Sequence, residues 1–379
     1  MVGEKKGYYL YESVMKDISE FERIKNESKA LPVISAQAKD LFHKAMPEIL
    51  RLVNEKFQLQ SQFEVKAPDP EAMNFIQDAH RHLADLLLGI YENNLFEKLA
   101  DEFCWYVSVF TSRGFKKDYF EKMLEGWIFA IHALIKPPES GELTRPLNWI
   151  VRRLPVFIEA GGEEKPAITA EQERLLSLLL DKKRSETWEF VRSFFEKEPS
   201  VERVYFDLLI PVLIRVGKLW EINEIGVADE HAATAIIRYV LSELHSLLPA
   251  EETVPYKALV GCVPGEEHDI GAEILADYLE MKGWTVYFIG HSTPEEDILK
   301  SVLDLKPDVV FFSMVQISRA TEARRIIQRV KDMVPGAKIV LGGRGAMAAK
   351  KALDDISDAV VDSILDGYKA AVEMVGQNA

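Results

Sequence analysis

The chain changes rhythm near residue 256. Before it, apolar residues recur every three or four positions, the spacing that places them on one face of a helix. Leu41, Phe42, Ala45, Ile49, Leu50, Val53 and Phe57 form one such row. Residues 8–60 therefore read as helical, with breaks near Pro32 and Pro47, and a turn around Pro68-Asp69-Pro70 closes the block. A second helix, running to Tyr91, turns Phe75, Ala79, Leu83, Leu86 and Leu87 inward. A third covers 95–111. A fourth, over 117–135, carries Phe120, Leu124, Trp127, Phe129 and Ile131 and stops at Pro137-Pro138. After Pro146 the row Trp149, Ile150, Leu154 and Phe157 predicts a further short helix. These elements make an all-helical domain over 1–165, with 161–166 as its linker.

Four more helices follow, a small bundle over 168–250. Thr169 followed by Gln172 predicts a capping box at the first. The second covers 187–195. The third, over 201–219, contains Pro211, which predicts a local kink. The fourth runs from 228 to about 248. From Tyr256 short apolar runs alternate with amphipathic ones. Strands are predicted over 258–263, 285–289, 308–312, 337–341 and 359–361, and helices over 270–282, 320–333 and 364–375. Another helix opens at Thr293-Pro294-Glu295-Glu296, read as N-cap, first-turn proline and capping-box glutamate, and ends before Pro307. This alternation predicts a parallel sheet covered on both sides, an α/β Rossmann-like (flavodoxin-like) domain over 255–379.

Composition narrows the class without changing that picture. A length of 379 residues, 47% hydrophobic and 28% charged, fits a globular protein of two or three domains. The formal charge of −15 argues against a duplex-binding surface spread over the whole molecule. The first 170 residues carry no excess of positive charge and no compact basic recognition helix, so direct nucleic-acid binding is not expected. No run reaches 18 apolar residues, which predicts neither a membrane span nor a signal peptide, and a cytoplasmic location. Cys104 and Cys262, far apart in apolar surroundings, read as small buried hydrophobes. His80 and His82 lie two apart on a helix and do not share a face.

The chemistry gathers at the strand ends. Glu266 and His268 fall in the loop after the first predicted strand, where open α/β sheets bind ligands. Two residues apart, they can act as a pair, the imidazole offering one nitrogen to a metal while the carboxylate accepts a hydrogen bond from the other. Gly271 lets a bulky group approach the backbone. Ser313 ends the third strand and Gly342-Gly343 the fourth. The first turn, Gly261-Cys262-Val263-Pro264-Gly265, lacks dinucleotide-binding spacing.

Glu266-x-His268-x-x-Gly271, Ser313-x-Val315 and Gly342-Gly343 resemble the signature of cobalamin-binding domains of the base-off, histidine-on type. The resemblance implies that His268 is the lower axial ligand of cobalt. It implies that Glu266, Asp269, Ile270, Gly271, Ser313, Val315, Gly342 and Gly343 contact the cofactor, whose nucleotide tail runs past the serine and glycines. The family usually opens the motif with Asp, where this chain has Glu266.

The preceding bundle resembles the helical cap over the upper face of cobalamin. Trp220, followed by Glu230-His231, is similar to the motif of B12-dependent light-sensing regulators. In that family the tryptophan packs on the adenosyl group, and Glu and His line the same cavity. The expectation is therefore an adenosylcobalamin-binding photoreceptor or regulatory sensor rather than an enzyme. Loss of the upper ligand is its signal, passed to a protein partner through the N-terminal helices or to a homo-oligomer. The alternative is a corrinoid protein carrying methyl groups for a methyltransferase system, with methylcobalamin as its cofactor.

Overall fold

The computed structural model describes residues 20–62, 70–160, 167–247 and 253–376. The predicted helical start at 8–19, most of the turn at Pro68-Asp69-Pro70, the linker at 161–166 and the last residue of the predicted 228–248 helix lie outside the described residues. The chain forms two compact units that divide near residue 163.

The first unit is all-helical. Its described helices are α1 (20–28), α2 (Ala36–Gln62), α3 (Pro70–Asn93), α4 (Phe96–Ser112), α5 (Lys117–Leu134), α6 (Glu139–Val151) and α7 (Leu154–Ala160). The turn before Pro32 falls as predicted, but α2 runs unbroken through Pro47. A mid-helix proline costs roughly 3 kcal/mol; here Met46, Ile49 and Val53 are buried on either side of it, and that burial holds the helix together. Likewise α6 begins seven residues ahead of Pro146 rather than after it, because Ser140, Leu143 and Thr144 are already buried. Phe75, predicted inward, lies at the margin against Phe110 and Phe115. Phe129 is 52% exposed, with the Lys56 ammonium above its ring.

The second unit opens with α8 (Ala170–Leu180) and α9 (Arg184–Lys197). Next come α10 (Val201–Arg203), a π-helical stretch at Val204–Leu209, α11 (Ile210–Glu221) and α12 (Val227–His245). Thr169 and Gln172 form the predicted capping box. Where Pro211 predicts a kink, the structure has a π-helical stretch just before the proline. Pro211 has no N–H, and in an α-helix its missing partner would be the carbonyl of Asp207. That carbonyl instead accepts from Gln172 Nε2 at 2.7 Å, so one side chain caps α8 and satisfies the break in its neighbour.

The parallel sheet consists of β1 (Lys257–Cys262), β2 (Thr285–Gly290), β3 (Val309–Ser313), β4 (Lys338–Gly342) and β5 (Ala359–Val361), in the order β2-β1-β3-β4-β5. Between the strands lie α13 (Ile270–Met281), α14 (Glu295–Leu305), α15 (Ala320–Met333) and the short α16 (Arg344–Ala348) and α17 (Lys350–Leu353); α18 (Ile364–Gly376) closes the fold. In this order the chain reverses direction across the sheet between β1 and β3, which opens a crevice at their carboxyl ends. The sequence pattern did not reveal α16 or α17. The expected cap at Thr293 does not form either. Thr293 Oγ1 donates to the Ile289 carbonyl at 2.8 Å, Pro294 takes the cap position, and Glu296, the glutamate of the expected box, is held by Arg329.

Helix α13 joins the bundle to the sheet. Ala272, Ala276 and Leu279 pack on the strands, while Ile274, Tyr278 and Met281 enter the core of the helical bundle. The helix that begins beside His268 is thus also the seat of the bundle.

Candidate functional site

The site is built on a buried carboxylate at the β1/β3 crevice. Glu266 has no exposed surface. Its Oε1 accepts from the backbone N–H of Glu267 and of His268, each at 3.0 Å, and its Oε2 accepts from the N–H of Val315 and Gln316, each at 2.8 Å. The His268 Nδ1–H donates to Oε1 at 2.5 Å. Burial alone would raise the Glu266 pKa; the His268 and backbone hydrogen bonds outweigh it and hold the carboxyl down at about 2. The carboxylate is therefore charged, and it ties the loop after β1 to the loop after β3.

His268 is fixed by the same contacts. With Nδ1 donating to Glu266, Nε2 is left as the basic nitrogen of the neutral ring. The side chain is 56% exposed, and the hydrogen bond to Glu266 raises its pKa. A histidine whose second nitrogen is held by a carboxylate is the usual arrangement for a metal ligand, since the partner fixes the tautomer and strengthens the donor.

The surrounding backbone leaves room on the exposed side. Nothing described lies within 4 Å of where a Cβ on Gly271 would sit. Gly343, at φ +107°, has its missing Cβ position only 2.5 Å from the Met314 carbonyl oxygen, so a side chain there would collide with main chain. Gly345 is in the same position against Val315 and Gln316. Ser313 ends β3 half-buried, in register between Cys262 and Gly342. Cys262 lies beneath the loop, its thiol pushed up to about 12 by burial and by the charge of Asp269. It is a neutral group that can donate to the His268 carbonyl, not a nucleophile.

Glu230 and His231 stand in the first turn of α12, paired through His231 Nδ1 and Glu230 Oε2 at 2.5 Å. Thr234 Oγ1 donates to Glu230 Oε1 at 2.8 Å. The Glu230 charge contributes to the raised pKa of His268, so the start of α12 and the loop after β1 share one electrostatic environment. Trp220 lies half-buried at the end of α11. Ile270 is the first residue of α13 and packs partly against the bundle core. Asp269 differs from the others: its carboxylate is directed at Arg238 of α12 rather than toward open space.

Sequence reasoning missed Arg238, and a signal for it existed. Glu230, Thr234 and Arg238 are spaced four apart and form one polar stripe along α12. The backbone donors at Val315 and Gln316 and the close approach of Gly345 could not be seen, because they depend on how two distant loops meet.

These residues fit a large planar cofactor that takes an imidazole on its metal: an oriented exposed Nε2, open space over Gly271, and side-chain-free backbone at the adjoining strand end. Residues 256–372 match the family described as B12 binding domain, and residues 171–245 match a second family carrying the same description. Among curated proteins, the chain is 32% identical over 146 residues to the HTH-type transcriptional repressor CarH of Myxococcus xanthus, covering 38% of this chain and 48% of that one. It is 30% identical over 153 residues to CarA of the same organism, covering 40% and 51%. It is 23% identical over 163 residues to dimethylamine corrinoid protein 1 of Methanosarcina acetivorans, covering 40% and 76%. The chain thus spans about half the length of the two repressors. No described helix is long and apolar enough to cross a membrane.

Proposed function

We propose that this protein, whose two B12-binding segments relate it to both regulators and corrinoid carriers, holds cobalamin in the base-off, histidine-on state, with His268 Nε2 as lower ligand. The observation that carries the reading is the Glu266–His268 pair: a carboxylate with no exposed surface, saturated with backbone donors, spends one further bond on orienting an exposed imidazole. Such an anchor fixes the tautomer and leaves Nε2 facing outward, as a metal ligand requires. Cobalamin supplies a cobalt whose upper position can carry a methyl or an adenosyl group on a weak cobalt–carbon bond. The chain's own residues set the rest. Glu266 fixes the imidazole and raises its basicity, Gly271 leaves the approach open, and Gly343 and Gly345 keep the adjoining rim free of side chains. Ser313, Val315 and Gly342 line the path proposed for the nucleotide tail.

Of the two roles, carrying a corrinoid for group transfer has the broader support. The matched region makes up 76% of one dimethylamine corrinoid protein and 51–65% of the other corrinoid proteins, against 51% and 48% of the two repressors. The match therefore takes in a larger share of most of the carriers than of the regulators. The sensor reading rests on one further feature, Trp220 followed by the Glu230-His231 pair near the loop of His268. An indole there fills the space beside an adenosyl group, and Glu230 can accept from ribose hydroxyls.

Absorption spectra of purified protein loaded with adenosyl- or methylcobalamin, before and after green light, test both layers. A base-off, His-ligated spectrum that H268A abolishes supports the site; a spectrum indifferent to H268A overturns it. Preference for methylcobalamin with unchanged mass in solution after illumination supports the carrier. Preference for adenosylcobalamin with a light-triggered change in mass or shape supports the sensor.

A further inference from the structure

The residue after His268 does something its position does not call for. Asp269 is the N-cap of α13, where an aspartate ordinarily accepts a backbone N–H from the first turn of its own helix. It makes no such bond. Its carboxylate, 4% exposed, is paired with Arg238 of α12: Nη2 bonds Oδ1 and Nη1 lies 3.4 Å from Oδ2. The same Nη1 donates to Glu273 Oε2, one turn along α13, at 2.9 Å. His291, in the loop after β2, has Nε2 3.8 Å from Asp269 Oδ2.

The geometry makes Arg238 a link between two halves of one site. It belongs to the helix whose first turn holds Glu230 and His231, and it grips the residue covalently next to His268. We infer that Arg238, Asp269 and Glu273 form a latch that couples seating of α12 to the position of His268, so that closing the bundle and ligating the metal favour each other. Lifting α12 would strand a buried carboxylate without its cation, a state costing far more than an exposed ion pair. Relief requires the loop after β1 to shift, and the imidazole is part of that loop. Coupling of this kind is reciprocal: whatever displaces α12 weakens the lower ligand, and loss of the lower ligand loosens α12. Arg238 is a positioning residue, and the inference rests on His268 being the ligand.

The test uses the full chain, grown on nitrogen-15 and loaded with unlabelled cob(II)alamin, whose electron paramagnetic resonance lines split into doublets while a protein imidazole is bound and into triplets while the cofactor's own benzimidazole is. R238Q and D269N are each expected to weaken cofactor binding about tenfold or more and to lower the His-ligated fraction of the cofactor that remains bound. The double variant should be little worse than either single one, and R238K should recover part of the loss. Hydrogen exchange in α12 of the loaded protein should quicken in R238Q. If bound cofactor stays fully His-ligated in R238Q and D269N, or if their effects add, Arg238 serves only general stability and the latch is wrong. H268A separates the two claims. Doublet splitting that survives in H268A overturns the ligand assignment, whereas doublet splitting lost in H268A but untouched in R238Q overturns the latch alone.

Discussion

At the scale of single residues, Glu266 carries the most demanding environment in the site. Four backbone donors and one imidazole converge on its two oxygens, so every lone pair faces a hydrogen. Glu266→Gln keeps the shape but turns an NH2 group toward two of those donors. It is expected to destabilise the second unit by about 2–4 kcal/mol, since unpaired buried polar groups cost about 1–3 kcal/mol each. Denaturant unfolding of the variant checks this; a loss below about 1 kcal/mol would mean the oxygens are not held as described. The sequence displayed the Glu266–His268 pairing because both residues share one loop, and it displayed Ser313 and the glycines because strand ends are easily located. It did not display the Val315 and Gln316 donors, which lie about 50 positions away. His80 shows the same boundary. Two histidines flanking an arginine disclose little, yet His80 is fully buried, with Nδ1 2.6 Å from Asn54 Oδ1. Burial lowers its pKa to about 4, against 6.5 for an ordinary histidine. The folded form therefore resists a proton that the unfolded chain accepts. The stability it contributes is complete above pH 6.5 and is lost as pH falls from 6.5 toward 4, about 3 kcal/mol in all at 1.36 kcal/mol per unit. His80→Gln should flatten that part of the first unit's stability–pH profile, read by denaturant titration between pH 7.5 and 4.5.

At the scale of elements, periodicity did well wherever packing and propensity agree, and failed wherever a distant partner overrode a local rule. Apart from the short α16 and α17, the strand–helix alternation after 256 is seen almost residue for residue, with α15 and β5 at their predicted limits. Pro47 and Pro146 should have ended or begun helices, and both lie inside one, because apolar burial on the flanking turns outweighs one missing hydrogen bond. Thr293 had the residues of a capping box and none of its bonds, since its hydroxyl donates to the Ile289 carbonyl and Arg329 on α15 takes Glu296, the glutamate at the box position. Gln172 gives this contrast a test. From sequence alone, Gln172→Glu should be harmless, as glutamate serves a capping box equally well. In the structure its amide also donates to the Asp207 carbonyl beside Pro211, and a carboxylate there would face an acceptor. Gln172→Glu is therefore expected to destabilise the bundle by about 1–3 kcal/mol, close to the effect of Gln172→Ala. Unfolding curves that leave the glutamate variant at wild-type stability would show that the π-helical break needs no outside donor.

At the scale of the whole molecule, the two units answer to different variables. The buried histidine that acid charges lies in the first. The segments that match B12-binding families lie in the second, which also holds the Glu266–His268 pair. A ligand bound only by the folded second unit stabilises that unit by RT ln(1 + [L]/Kd), about 2.7 kcal/mol at a hundredfold excess over Kd. Acid and cofactor should thus pull the units apart in stability. Hydrogen exchange at pH 7.5 is expected to slow on adding cobalamin in the slowest-exchanging amides of β1, β3, β4 and α13, with no matching change in the cores of α2, α4 and α5. Lowering the pH to 5 should speed exchange, corrected for its intrinsic pH dependence, in α2 and α3 around Asn54 and His80. Protection gained equally in both units on adding cobalamin would mean that they unfold as one cooperative body. Protection gained in neither would mean that the folded chain does not bind cobalamin.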